Sequence, residues 1–96
     1  MHSLLALFKQ NGLQTYEKLV VKEQEKLYKI AYSYVKNQQD SLDIVQESIL
    51  KGYKNFHRLK EKKYFSTWIT RITINTSIDF VRKQNREVTV ELQDVM

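Results

Sequence analysis

Proline and cysteine are both absent from this chain, and glycine occurs only at positions 12 and 52. Without cysteine there is neither a disulfide framework nor a thiolate metal site. Without proline, and with so little glycine, a many-turned β fold has few of the residues its turns require, so the composition favours helices. Histidine is scarce too. His2 and His57 stand alone with no metal-ligand spacing, and neither a metal nor a cofactor is expected. No run approaches the ~20 apolar residues of a membrane span. The apolar N-terminal stretch MHSLLALFKQNG has neither a basic leader nor a small-residue cleavage site. A cytoplasmic protein without membrane insertion is the expectation. Catalytic constellations are missing as well: there is no Gly-rich phosphate loop, no GxSxG and no Ser/His/Asp arrangement, and an enzyme is not expected.

What is present is a chain of 96 residues, 42% apolar, with six Tyr, four Phe and Trp68 to give bulk to a single modest core. The net charge is +5, and its distribution says more than its sum. Residues 37–50 carry Asp40, Asp43 and Glu47 and no base, whereas residues 51–86 carry ten bases against Glu61 and Asp79. The tail from Glu87 holds three acids and no base. A solvated helix face usually mixes signs. Segregation of this kind suggests two different partners, the basic segment meeting nucleic acid.

Apolar spacing predicts an all-α fold, a compact bundle of about four helices. The first runs from Ser3, as N-cap, to Asn11, with Gly12 closing it. The second covers about Leu13 to Lys36, with Leu27, Ile30, Ala31, Tyr34 and Val35 as its apolar stripe. After a break at KNQQD, Asp40 is expected to cap a third helix whose buried face is Leu42, Val45, Ile49, Tyr53 and Phe56. HRLKEKK reads as a basic loop, and the last helix runs from about Tyr64 to Asn85. The closing EVTVELQDVM alternates weakly but has no visible partner strand, and reads as a frayed linker over residues 87–96, outside a domain of residues 1–86.

Wound at ~100° per residue, the last helix separates into stripes. Phe65, Ile69, Ile72, Thr76 and Phe80 share one face, Ile74, Ile78 and Val81 make a second, and Thr70, Thr73 and Ser77 lie between them. On the remaining side lie Trp68, Arg71, Asn75, Asp79, Arg82 and Arg86, with Lys83 beside them. Arginine offers charge-assisted bonds to phosphate, Asn can bond two groups on a base edge, and Trp presents a stacking plane. An Arg-rich helix face is also common as plain solvated surface. The preceding loop favours the first reading, because Arg58, Lys60, Lys62 and Lys63 run directly into Tyr64 and Phe65. Cations interleaved with rings suit unpaired bases, the charge following the backbone and the rings stacking. Phe65 reads as core and Tyr64 as the contact. The acidic third helix carries Asp43, Gln46, Glu47, Leu50 and Lys54 away from its buried face, either as ordinary surface or as a protein-docking face.

Two long motifs bring in a family. LYKIAYSYVKNQQDSLDIVQESILKGYKNF followed by YFSTWITRITINTSIDFVRK resembles the second conserved region of extracytoplasmic-function sigma factors. Asp43, Ile44, Val45, Gln46 and Glu47 match that family's D-[IVL]-V-Q-E signature. Trp68, Arg71, Ile72, Asn75, Asp79, Phe80, Arg82 and Lys83 match its W-[LI]-x-R-I-x-x-N-x-x-x-D-[FY]-[LV]-R-[KR] signature. Thr70 and Thr73 depart from the aromatic and alanine more frequent there, and the loop is Lys-rich where relatives often carry Gly. The resemblance implies a sigma region 2 domain that binds the RNA polymerase core and recognises and melts the promoter minus-ten element. By the same resemblance Asp43, Gln46, Glu47 and Leu50 dock the β′ clamp coiled coil. Trp68, Asn75 and Arg82 sit by the DNA, and the 58–64 loop holds a base flipped from the non-template strand. An anti-sigma factor is a further implied partner. The family's second domain, a helix-turn-helix that reads the minus-thirty-five element, has no counterpart in these residues, so the chain reads as a fragment or a single-domain relative. Two competing readings remain: a degenerate sigma-like interaction module that does not touch DNA, and an unrelated basic helical duplex binder.

Overall fold

The computed structural model describes residues 14–95, so the expected opening helix from Ser3 to Asn11, with Gly12, lies outside the described residues. Three α-helices are present among the described residues, rather than about four: α1 (Gln14–Val35), α2 (Gln38–Asn55) and α3 (Phe65–Val95). Two single 3-10 turns, Phe56–Arg58 and Lys62–Tyr64, join α2 to α3. Each helix packs on both others.

In α1, Tyr16, Val20, Leu27 and Ala31 recur at spacings of four and seven and are fully buried. Of the expected stripe, Leu27 and Ala31 are core, Ile30 and Val35 are half-buried, and Tyr34 is exposed. The helix stops at Lys36, which adopts φ 61°, a left-handed conformation more usual for glycine. Only Lys36 and Asn37 separate α1 from α2, and this shortness corrects the expected cap. Asn37, not Asp40, caps α2: its Oδ1 accepts from the Asp40 backbone N–H at 2.8 Å, and its Nδ2 donates to the Asp40 carboxylate at 2.8 Å. Asp40 thus closes the cap from the first turn instead of making it.

The buried face of α2 also differs from the expected one. Ser41, Ile44, Val45, Ser48, Ile49 and Gly52 are its buried residues, while Leu42, Tyr53 and Phe56 are half-buried. The helix packs on both α1 and α3, and three of its six buried residues, Ser41, Ser48 and Gly52, are small. The approach at Gly52 is close: a Cβ there would lie 2.8 Å from Ile69 Cδ1 and closer still to the Tyr16 hydroxyl. That hydroxyl donates to the Ile49 carbonyl at 2.6 Å, and burial pushes the phenol well above its ordinary pKa.

In α3 the core positions are Phe65, Ile69, Thr73, Thr76 and Ser77, so Thr73 and Ser77 belong to the buried face rather than between faces. Their hydroxyls donate to carbonyls one turn back, Thr73 to Ile69 at 3.0 Å and Ser77 to Thr73 at 2.8 Å. Satisfied inside their own helix, they can be buried without a desolvation penalty. The helix also runs ten residues past the expected end at Asn85, through EVTVELQDV. Nothing there stops it: there is no Pro or Gly, and Thr89 Oγ1 donates to the Asn85 carbonyl at 2.9 Å. The alternating pattern has no strand to pair with among the described residues, so local helical bonds prevail.

Candidate nucleic-acid interface

An aromatic cluster fixes the corner between α2 and α3. The Tyr16 ring lies 5.0 Å from Phe56 and 5.8 Å from Phe65, centroid to centroid, both edge-on. Trp68 packs on the outer side of this cluster, 5.7 Å from Phe65 and 6.4 Å from Phe56. One side of the indole therefore belongs to the core, and the residue is half-buried. The other lines an open cavity of about 350 Å³ walled by Lys51, Asn55, Arg58, Trp68, Ile72, Asn75 and Thr76.

Polar groups around this cavity have defined roles. Thr76 Oγ1 donates to the Ile72 carbonyl at 2.7 Å, which commits its proton and leaves its lone pairs to accept from Lys51 Nζ at 3.2 Å. Asn55 Nδ2 donates to the Lys51 carbonyl at 2.9 Å, which leaves its Oδ1 as an acceptor. With the exposed side chains of Arg58 and Asn75, the cavity offers cationic donors, amides and an indole wall in a volume suited to one planar ring.

Of the residues singled out in the sequence, Arg58, Trp68 and Asn75 come together here. Asp79, Arg82 and Arg86 gather farther along α3 with Asn85, around a second concavity of about 500 Å³. Arg71 and Lys83 are exposed on α3 but line neither hollow. In the connecting segment Lys60, Lys62, Lys63 and Tyr64 are all exposed, Tyr64 by 57%. Lys63 pairs with Glu61 at 3.3 Å and lies 5.2 Å from the Tyr64 ring. Phe65 is core, as expected. On α2, Asp43, Gln46, Glu47 and Leu50 are exposed at i, i+3, i+4 and i+7, one continuous strip. Asp43 accepts from Gln39 at 3.2 Å, and Glu47 pairs with Lys51 at 3.5 Å.

Residues 19–87 match the family described as Sigma-70 region 2. The chain belongs to the sigma-70 region 2 family. It is 40% identical over 67 residues to RNA polymerase sigma factor SigV of Bacillus subtilis, covering 70% of this chain and 40% of that protein. It is 35% identical over 60 residues to the ECF RNA polymerase sigma factor SigW of the same organism, covering 62% of this chain and 32% of that protein. It is also 30% identical over 84 residues to the ECF RNA polymerase sigma-E factor of Haemophilus influenzae, covering 88% and 44% of the two chains. The chain thus spans less than half the length of these curated relatives. No solved structure matches it.

Within this sigma-70 region 2 fold, the sequence reading missed Lys51, Asn55, Ile72, Thr76 and Asn85 as lining residues. Lys51 and Asn55 sit one helical turn apart on α2, and Lys51 is the first base after the acidic stretch. That spacing was a usable signal. The approach of α2 to α3 at Gly52, which brings this pair beside Trp68, could not be read from one helix alone.

Proposed function

We propose that this chain is a sigma factor domain that binds the RNA polymerase core and recognises and melts the promoter minus-ten element. The observation that carries this reading is the cavity beside Trp68, which unites an indole wall, two amides and the cations Lys51 and Arg58. Such a site suits a base taken out of its stack, with phosphates held by the neighbouring cations. Asn75 and Trp68 take the base in this proposal. Arg58, Lys60, Lys62, Lys63 and Tyr64 hold the non-template strand, and Arg71, Asp79, Arg82, Lys83 and Arg86 run along the DNA. The exposed strip Asp43, Gln46, Glu47 and Leu50 docks the β′ clamp coiled coil, where complementary charge raises on-rate and specificity. Residues 87–96 then begin the connection to a further domain, and an anti-sigma factor is a candidate regulator of both faces.

The test has two arms. Glu47→Lys is expected to weaken capture by the isolated clamp coiled coil markedly while leaving the melting temperature nearly unchanged, because Glu47 is exposed. The wild-type chain is expected to bind a single-stranded minus-ten oligonucleotide of non-template sequence. Unaltered capture together with no strand binding would overturn the assignment. Capture without strand binding would mark a protein-interaction module instead.

A further inference from the structure

The second apolar strip of α3 continues beyond the packed part of the helix. Ile74, Ile78, Val81, Asn85, Val88 and Leu92 follow one another at spacings of 4, 3, 4, 3 and 4, the repeat that keeps a seam on one side of a helix. Ile74, Ile78 and Val81 are half-buried, whereas Asn85, Val88 and Leu92 are exposed, Val88 by 54% and Leu92 by 58%. Every residue from 82 to 93 is exposed, and a helical segment open to water on all sides is marginal by itself. The strip stands about a third of a turn round α3 from Arg71, Asn75, Arg82 and Arg86. It is therefore not the face assigned above to DNA.

Charge along the same segment selects what can cover the strip. Arg82, Lys83 and Arg86 are followed by Glu87, Glu91 and Asp94, bases first and then acids. A second copy laid parallel and in register sets bases on bases and acids on acids. Reversed, the same helix brings its acidic end beside the basic end, and the helix macrodipoles run opposite. We propose that residues 81–92 of α3 form a self-association surface on which a second copy of this chain docks antiparallel. With a two-fold axis at the midpoint of the strip, Val81 lies opposite Leu92 of the second copy, and Asn85 lies opposite Val88 of the second copy. The two outer layers are then wholly apolar. The two inner layers each carry an amide, which fixes register at a cost in stability. Four layers make a small interface, so the association is weak and governed by concentration.

Sedimentation velocity of the full chain over a rising concentration series measures this association. Wild type is expected to pass from monomer toward dimer. Leu92→Lys, which puts a charge into both outer layers, is expected to weaken dimerisation about ten-fold or more. Val90 supplies the control: it is as open as Leu92, 55% exposed, but lies on the opposite side of the helix, so Val90→Lys is expected to leave dimerisation nearly unchanged. Because the chain has no cysteine, disulfide trapping under mild oxidation reads the orientation. A mixture of Val81→Cys and Leu92→Cys proteins is expected to cross-link, since those positions face each other. Leu92→Cys alone is expected not to, because antiparallel docking leaves the two copies of position 92 about 16 Å apart along the axis. A monomer at every concentration would overturn the proposal and leave the strip to a helix of another protein. Equal losses in the two lysine variants would reduce the association to unspecific stickiness. A mixture that fails to link, or Leu92→Cys that links to itself, would overturn the antiparallel arrangement.

Discussion

Replacing Gly52 by alanine tests how the corner beside Trp68 is built. The added methyl would meet Ile69 Cδ1 at 2.8 Å, and the Tyr16 hydroxyl more closely still. Ile69 can turn a terminal methyl away. Tyr16 can yield only by moving a ring wedged between Phe56 and Phe65, which breaks its 2.6 Å bond to the Ile49 carbonyl. Overpacking of this sort costs about 1–3 kcal/mol. Losing that hydrogen bond adds about 0.5–1.5 kcal/mol. Against this, alanine is favoured over glycine in a helix by about 1 kcal/mol. A net loss of roughly 2 kcal/mol follows, which lowers the melting temperature by roughly 8–16 °C for a domain of this size. Thermal and urea unfolding followed by circular dichroism read both quantities. The cycle with Tyr16→Phe sharpens the test, because removing the hydroxyl removes the closest obstacle. Gly52→Ala should cost at least 0.5 kcal/mol less in that background, a coupling of the size contacting residues show. A Gly52→Ala protein as stable as wild type, or strict additivity with Tyr16→Phe, would refute the close-approach argument.

Three further outcomes are expected. Arg82→Ala should weaken single strands of every sequence alike and flatten the salt slope by about 0.7, whereas Asn75→Ala should lower affinity for a minus-ten strand and hardly change it for an arbitrary one; equal losses on both strands for Asn75→Ala would move sequence reading to the 58–64 loop. Tyr64→Ala should cost about 1–3 kcal/mol in strand binding with little change in folding, because its ring is mostly exposed; strand affinity equal to wild type would show that this ring does not stack. Lys36→Gly should stabilise the domain by about 0.5–1 kcal/mol, since glycine adopts the left-handed conformation freely at the end of α1, and a lower urea midpoint would show that the Lys36 side chain contributes more than its backbone costs.

The helices themselves were legible in the sequence because their apolar spacing is regular and nothing breaks it. So were the exposed stripe from Arg71 to Arg86 and the acidic strip on α2, since charge at helical period points outward in nearly any bundle. What escaped was what small residues do. Ser41, Ser48, Thr73 and Ser77 carry no hydrophobic signal, yet all are fully buried, because each hydroxyl bonds a carbonyl of its own chain one turn back. The cap moved from Asp40 to Asn37 because Lys36 takes a conformation its residue type does not advertise. The helix running through EVTVELQDV escaped for a related reason: β-branched alternation signals a strand only where a partner strand exists. Of the residues lining the candidate cavity, Trp68 and Asn75 on α3 had been singled out in the sequence, while Lys51 and Asn55 waited on knowing which helix lies against α3.

The buried hydroxyls have a calorimetric consequence. Among the described residues five buried side chains are Ser or Thr against nine hydrophobic ones. Exposing apolar surface on unfolding raises the heat capacity by about 0.45 cal/mol/K per Å², whereas exposing polar surface lowers it by about 0.26. A core so rich in hydroxyls should therefore unfold with an increment below the usual 12–15 cal/mol/K per residue. A small increment flattens the curve of stability against temperature. Such a domain is neither greatly weakened by cooling nor sharply tuned to one optimum, and its surfaces keep their shape across a wide range of temperature.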